Sequence, residues 1–490
     1  MSRTASVAQL AQALDDAGLL AARRGLLPAR IAGLTDDSRA VVPGGAFVAV
    51  RGTQRDGHAF LGAAEHAGAA LALVEDESAT TLPALVVHDA RRAAAVAAAA
   101  FYGDPASFLR LVGVTGTNGK TTTVGMLRHL LDAPRARAAS IGTLGVLVGS
   151  AGEPLPGGGG LTTPGPIELQ RLLRALVDAG VRWVAMEASS HALHQGRIDG
   201  LRFAAAVFTN LTRDHLDYHT TFEAYFRAKA MLVGYLTSDG VAVSNADDAV
   251  WAGLPDAPRR LTFGVQSAHA DVRAESVAFH RRGSRWTLVH GDARADVALP
   301  LIGDFNVANA LGAAAAAIAV GLDVPTVAAQ LDTLPQVPGR LEILSEHPTV
   351  LRDYAHTPDA LERALLALRP FTPGRLIALF GCGGDRDKGK RPMMAEVAHR
   401  LADAVVVTSD NPRTEDPERI LDDICAALPA GGYERIEDRR SAIAAAIAMA
   451  DPSRDIVLLA GKGHETYQIR GTTSYPFDEA AIVRGLLGAG

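Results

Sequence analysis

Apolar residues in this chain fall into short runs separated by stretches of helical spacing, and the alternation recurs along most of its length. Up to about Ser107 the runs 46–50, 70–74 and 84–87 alternate with helical segments, the first of them amphipathic and within residues 1–20. Phe101-Tyr102-Gly103-Asp104-Pro105 breaks the pattern and reads as a linker. From 108 onward the pattern predicts a strand at 109–114, a glycine turn and a helix at 120–131. Further strands are expected at 183–187, 205–209 and 240–243, with helices between them. Alternation of this kind predicts a mostly parallel sheet with helices on both faces. Residues 260–302 carry short runs with charged turns and suggest an antiparallel patch, followed by an Ala-rich buried helix at 306–320. Pro335, Pro338 and Gly339 mark a second linker. Alternation then restarts, with strands expected at 349–353, 376–380, 404–408 and 456–460. The expectation is an α/β protein of three domains: 1–107, a central P-loop-type domain at 108–338, and a Rossmann-like α/β domain at 339–490.

Composition narrows this. Hydrophobic residues make up 48% and aromatic residues 5%, so the cores are built mainly from Ala, Val, Leu and Ile, as helix-on-sheet packing requires. The net charge of −6 gives no nucleic-acid signature. The apolar stretch within 1–20 is interrupted by Asp15 and Asp16 and does not read as a signal peptide. The Ala-rich runs 93–100 and 310–320 fall short of the roughly 20 apolar residues of a membrane span. Cys382 and Cys425, alone and far apart, define neither a disulfide framework nor a zinc cluster, and a reducing cytoplasm fits. Of 48 Lys and Arg residues only five are lysine: Lys120, Lys229, Lys388, Lys390 and Lys462. Where arginine fills the generic cationic positions, a lysine marks a place for a compact or titratable ammonium.

Lys120 lies in Gly116-Thr117-Asn118-Gly119-Lys120-Thr121-Thr122, directly after the apolar strand. Glycines let backbone N–H groups approach phosphate oxygens, and a helix N-terminus favours anions. Lys120 would reach the β- and γ-phosphates and Thr121 a Mg²⁺ ion. The longer P-loop pattern needs a glycine where Val114 stands, so this is a shortened form. The strand at 183–187 ends in Glu187, beside the phosphate loop, where an open parallel sheet binds ligands. Glu187 could therefore hold Mg²⁺. The polar stretch 210–219 after the next strand reads as part of the same site; His215 within it, taken alone, would equally serve as a cap or core residue.

On these motifs the chain resembles the Mur ligases, ATP-dependent amino-acid-adding enzymes of peptidoglycan precursor synthesis. The resemblance covers essentially the whole chain and carries over Glu187, Ser189–Leu193 and Asp214–His219. It places ATP on Gly116, Thr117, Asn118, Gly119, Lys120, Thr121, Thr122, Asn306, Asn309, Arg340, Asp353 and His356. Within the family the match is to the addition of a third residue to UDP-MurNAc-L-Ala-D-Glu. Ser38, Thr53, Gln54 and Arg55 would then grip UDP, while Thr162, Thr163, Ser189, Gln195 and Arg197 would contact the muramoyl-dipeptide. Thr53, and Ala188 where Val is commoner, depart from the family pattern. Lys229 matches the lysine these enzymes carbamylate to N6-carboxylysine; by itself it could be a surface helix lysine. The resemblance implies two Mg²⁺ sites on Thr121, Glu187, His215 and carbamylated Lys229, with Lys120, Lys229, His215 and Glu187 catalytic.

The segment Thr408-Ser409-Asp410-Asn411-Pro412-Arg413 follows a strand, and in this family Asp-Asn-Pro-Arg goes with meso-diaminopimelate as the added amino acid. Arg386 and Arg413 suit its extra carboxylate in forked geometry. By resemblance Gly461 and Glu465 face its distal groups, so the expected set is Arg386, Asp410, Asn411, Pro412, Arg413, Gly461 and Glu465. The expected partners are ATP and these small-molecule substrates, with no nucleic acid and no transmembrane segment, in a monomer. A folate-polyglutamating ligase shares the short phosphate loop but is expected to lack the Asp-Asn-Pro-Arg segment and the UDP-gripping domain. A nucleotide-dependent regulator without ligase chemistry is disfavoured by Glu187, His215 and Lys229 together.

Overall fold

The short apolar runs become parallel strands because each is buried on both faces. A computed structural model describes residues 4–52, 55–158 and 160–488. The chain divides into two compact units: Met1–Glu275, Leu288–Ala295 and Ala308–Gln330 in the first, and Ser276–Thr287, Asp296–Val307 and Leu331–Gly490 in the second.

In the first unit, helix α1 (Val7–Asp16) buries Val7, Leu10, Ala11 and Leu14 at helical spacing. Strands β1 (Leu20–Arg24), β2 (Leu34–Thr35), β3 (Ala46–Val48), β4 (Leu71–Val74) and β5 (Ala84–Val87) form a sheet in the order β1-β5-β4-β3-β2. Only β1 is antiparallel to its neighbour. Helix α2 (Ala90–Tyr102) packs seven buried residues against it and ends at Gly103, whose φ of 73° makes a left-handed cap.

The central sheet is built on β6 (Arg110–Thr115), followed by α3 (Lys120–Leu131). Strands β7 (Arg137–Gly142), β8 (Gly145–Val148) and β9 (Glu153–Leu155) come next. Helix α4 (Pro166–Asp178), β10 (Val181–Glu187), α5 (Ser190–His194) and β11 (Phe203–Phe208) follow. Then come α6 (Leu216–His219), α7 (Phe222–Ala230), β12 (Leu236–Asn245) and β13 (Arg259–Gly264). The strand order is β9-β8-β7-β10-β6-β11-β12-β13, parallel from β7 through β13. Two sequence expectations need correction. The hairpin strands β7, β8 and β9 occupy a stretch for which no strand was expected: Arg-Ala-Ala-Ser-Ile-Gly has weak strand propensity, and packing against β10 and α3 decides its state. Residues 259–264, expected to begin an antiparallel patch, run parallel to β12, and β14 (Val272–His280) starts parallel to β13. The strands β15 (Gly283–His290) and β16 (Ala293–Leu299) precede helix α8 (Asp304–Ala319).

In the second unit, β17 (Glu342–Glu346) lies antiparallel to β18 (Thr349–Asp353). Helix α9 (Pro358–Leu368), β19 (Leu376–Phe380), α10 (Lys390–Leu401), β20 (Ala404–Val407), α11 (Pro417–Cys425) and β21 (Glu434–Arg435) follow. The chain ends with α12 (Arg439–Ala448), β22 (Ile456–Ala460), β23 (Tyr467–Arg470), β24 (Thr473–Pro476) and α13 (Glu479–Leu487). The main sheet has the order β17-β18-β22-β19-β20-β21, parallel from β18 to β21. Arg439 is fully buried: its Nε donates to Glu479 Oε1 at 2.8 Å, its Nη1 to Ser409 O at 3.3 Å, and its Nη2 to Ala460 O at 2.9 Å. One guanidinium thus ties together the chain just beyond β20 and the last residue of β22.

Arg439→Met is expected to destabilise the second unit by about 3–5 kcal/mol, because it strands a buried carboxylate. Combining it with Glu479→Leu is expected to recover most of that loss. Urea unfolding of the two variants checks this, and a double variant no more stable than the single would contradict it.

Candidate active site

The turn after β6 holds its shape because no side chain fits there. Gly116 has φ 149°, and a Cβ on it would fall 1.9 Å from Thr209 Oγ1; Gly119 has φ 86°, and a Cβ on it would fall 2.2 Å from Asn309 Oδ1. The segment after β11 clamps this turn. Thr117 N donates to Asn210 O at 2.7 Å, Asn118 N to Asn210 Oδ1 at 2.9 Å, and Thr209 Oγ1 to Asn118 O at 2.7 Å. Lys120 curls over the loop, its Nζ donating to Gly116 O at 2.9 Å and Thr117 O at 2.8 Å. Thr121 and Thr122 are buried in the first turn of α3.

Lys229 on α7 is 1% exposed and is no surface lysine. Its Nζ donates to Gly116 O at 2.7 Å, the carbonyl that Lys120 also reaches. It stands 4.5 Å from the centre of the Tyr225 ring, whose hydroxyl lies 3.2 Å from Thr117 Oγ1. Burial, reinforced by the Lys120 charge, pushes the Lys229 amine well below its usual range. His215 stands at φ 53° before α6, in ring contact with His191 and Tyr225. Burial lowers His215 and His191, and lowers the neighbouring His219 to about 4.

Glu187 ends β10 opposite Val114 of β6 and is 1% exposed. Its carboxylate accepts from Thr143 N at 2.8 Å and Thr143 Oγ1 at 3.2 Å. The residues expected at the muramoyl-dipeptide form one connected chain beside it. Thr163 Oγ1 donates to Glu187 O at 2.8 Å, and Ser189 N donates to Thr163 Oγ1 at 3.1 Å. Arg197 Nη1 donates to Thr163 O at 3.0 Å and Nη2 to Gln195 Oε1 at 2.7 Å. Thr162 Oγ1 accepts from Thr143 Oγ1 at 3.4 Å. In the N-terminal part, Ser38 opens a short turn capped by Asp37, and Arg55 O accepts from Gly52 N at 2.8 Å. Thr53 and Gln54 lie outside the described residues.

Asn306, Arg340, Asp353 and His356 belong to the second unit, whereas Asn309 belongs to the first. Arg340 stacks 5.1 Å over Tyr354, and Asp353 Oδ2 accepts from Leu341 N at 2.7 Å. Burial pushes the Asp353 carboxyl up to about 6 against the pull of Arg340. The expected amino-acid residues converge in this unit. A Cβ on Gly383 would lie 2.9 Å from Arg413 Nη1 and 3.8 Å from Arg386 Cγ. Asn411 Nδ2 donates to Glu465 Oε2 at 2.8 Å, and Gly461 is buried beside Asp410. Pro412 is buried within the same loop.

Three family models match in sequence: "Mur ligase family, catalytic domain" over residues 30–105, "Mur ligase middle domain" over 114–317, and "Mur ligase, glutamate ligase domain" over 339–463. The chain belongs to the Mur ligase family. A relative from Gloeobacter violaceus named UDP-N-acetylmuramoyl-L-alanyl-D-glutamate--2,6-diaminopimelate ligase is 47% identical, covering 93% of this chain and 94% of its own. A solved structure of a protein with that name superposes with a TM-score of 0.66 at 36% identity, over 93% of this chain and 94% of that one. A Mycobacterium tuberculosis folylpolyglutamate synthase complexed with ADP and AMPPCP shares the fold at TM-score 0.63 and 21% identity, over 81% and 96%.

Three further residues shape this candidate site; of these only Asn210 fell within a stretch read from sequence, 210–219. Thr143 orients Glu187, Asn210 clamps the phosphate turn, and Tyr225 walls in Lys229. Asn210 carried a signal, the density of polar residues just after a buried strand; Thr143 carried none, because the strand before it was itself missed.

Gly119→Ala is expected to weaken ATP binding by about ten-fold or more, since it adds left-handed strain and a clash with Asn309. Calorimetric titration with a non-hydrolysable ATP analogue checks this, and unchanged affinity would contradict it.

Proposed function

We propose that this Mur ligase adds meso-2,6-diaminopimelate to UDP-MurNAc-L-Ala-D-Glu at the expense of ATP. The observation that carries the choice of amino acid is the gathering of these residues in one unit: Arg386 and Arg413 flank Gly383, and Asn411 bonds Glu465. A distal carboxylate would pair with the arginines and a distal ammonium with the acids. The 47% identical relative carries the same activity in its name, which supports the reading. We assign UDP binding to 1–107, ATP binding to 108–338 and amino-acid binding to 339–490. We expect the enzyme to be a cytoplasmic monomer; among the described residues no helix is long and apolar enough to cross a membrane.

The reaction follows from positioning and charge. The γ-carboxylate of the substrate D-Glu attacks the γ-phosphorus of ATP, and ADP leaves. The amine of diaminopimelate then attacks the acyl carbon, loses a proton, and phosphate departs as the amide forms. Phosphoryl transfer of this kind depends mainly on alignment and neutralisation. Lys120 and the Thr117–Thr122 backbone would cradle the phosphates. Thr163, Ser189, Gln195 and Arg197 would hold the dipeptide close to the end of β10. Among the described residues no three His, Cys, Asp or Glu side chains converge as a metal site. Mg²⁺ keeps waters and phosphate oxygens and needs few protein ligands; Thr121 and Glu187 would be the residues to hold one ion. A second ion fits only if Lys229 is carbamylated and joined by His215. The buried Lys229 amine, held well below its usual range, suits that modification: the nitrogen of the unprotonated amine bonds to the CO₂ carbon, one proton leaves, and a neutral group becomes an anion. Bound Mg²⁺ would neutralise the phosphate charge.

Phosphate release is expected with ATP, Mg²⁺, UDP-MurNAc-L-Ala-D-Glu and meso-diaminopimelate, but not when L-lysine replaces the diaminopimelate. Release with lysine alone would overturn the role given to Arg413; release with neither would overturn the muramoyl reading. Lys229→Arg keeps a cation but cannot serve as the carbamate, and is expected to lower kcat on the order of a hundred-fold or more. Full activity in that variant would overturn the carbamate.

A further inference from the structure

Lys462 is one of the five lysines, and the reaction as derived gives it no part. It sits in the Gly461-Lys462-Gly463 turn after β22 and is fully buried. Its Nζ lies 3.4 Å from Asp410 Oδ1, 3.1 Å from Asn411 Oδ1 and 3.3 Å from Glu465 Oε2. These acceptors come from three side chains, each expected at the amino-acid site. A tetrahedral ammonium can divide its three N–H groups among them; a planar guanidinium carries its donors in one plane.

The contacts also fix an orientation. Asn411 Oδ1 accepts from Lys462 and from Ile469 N at 2.9 Å, which leaves its amide nitrogen to donate to Glu465 Oε2 at 2.8 Å. Reversing the amide would turn an NH₂ group towards the ammonium. The charges are unequal as well: Asp410 and Glu465 are two acids and Lys462 one cation. Lys462 therefore offsets one of the two acids, apart from the arginines Arg386 and Arg413 that flank Gly383.

We propose that Lys462 is a positioning residue for the third substrate. Its buried ammonium aims Asp410, Asn411 and Glu465 and sets their net charge to receive an amino acid whose distal end carries an ammonium. The proposal rests on the reading that these residues bind diaminopimelate. Without Lys462 the two acids repel, the Asn411 amide loses its orientation, and amino-acid affinity falls. ATP and the UDP-linked substrate bind through other residues.

The test uses Lys462→Met, which removes the charge, and Lys462→Arg, which keeps it in the wrong geometry. The KM is measured for all three substrates. Acyl-phosphate formation without amino acid is measured separately, by hydroxylamine trapping. In both variants the KM for meso-diaminopimelate is expected to rise about ten-fold or more, the factor for one misplaced charged hydrogen bond. The other two KM values and hydroxamate yield are expected to stay within about two-fold, since their contacts are elsewhere. An unchanged KM for diaminopimelate in folded variants would overturn the proposal. A parallel fall in all readouts, or failure of both variants to fold, would reduce Lys462 to a structural role and overturn it too. If wild-type enzyme uses another amino acid instead, the substrate reading fails, and Lys462 is judged by the KM for that amino acid.

Discussion

The carbonyl of Gly116 accepts hydrogen bonds from two ammonium groups, Lys120 from its own loop and Lys229 from α7. Two amines converge on one oxygen only where the fold holds them there. The Lys120 charge helps push the Lys229 amine down, and its burial does the rest. The end of β6 becomes a place that favours anions and offers an amine held below its usual range. The turn permits this because Gly116 and Gly119 adopt positive φ where any Cβ would collide with Thr209 or Asn309. Parallel pairing then sets Glu187 of β10 opposite Val114 and Thr209 just beyond β11. Phosphate loop, carboxylate and clamp share one edge because three neighbouring strands end there, as expected of an open α/β sheet.

Much of this was legible because buried parallel strands write themselves as uninterrupted apolar runs. Residues 349–353, 376–380 and 456–460 were placed to the residue, and α3 at both ends. The strand at 137–142 was missed because alanine and arginine give it no local strand signature; its state comes from packing against β10 and α3. That miss concealed Thr143, which fixes the Glu187 carboxylate. The parallel course of 259–264 was equally hidden, since direction within a sheet depends on the route of the intervening chain. The candidate site residues were chosen from motifs, but the linkage of Thr163, Ser189, Gln195 and Arg197 is tertiary.

The scarcity of lysine has a geometric content that the structure makes specific. The fully buried arginines, Arg391 and Arg439, meet acceptors spread in a fork: Asp423 and Glu415 for the first, Glu479 and two carbonyls for the second. The buried lysines meet acceptors around a point: one carbonyl for Lys229, three side-chain oxygens for Lys462. Lys388, exposed and 3.5 Å from Glu415, shows that the bias is not absolute. Each substitution across that divide would keep the charge and lose the geometry, because a guanidinium cannot contract to a point and an ammonium cannot span a fork. For these four buried cations the choice between the two therefore follows the shape of the acceptor set, a fork for arginine and a point for lysine.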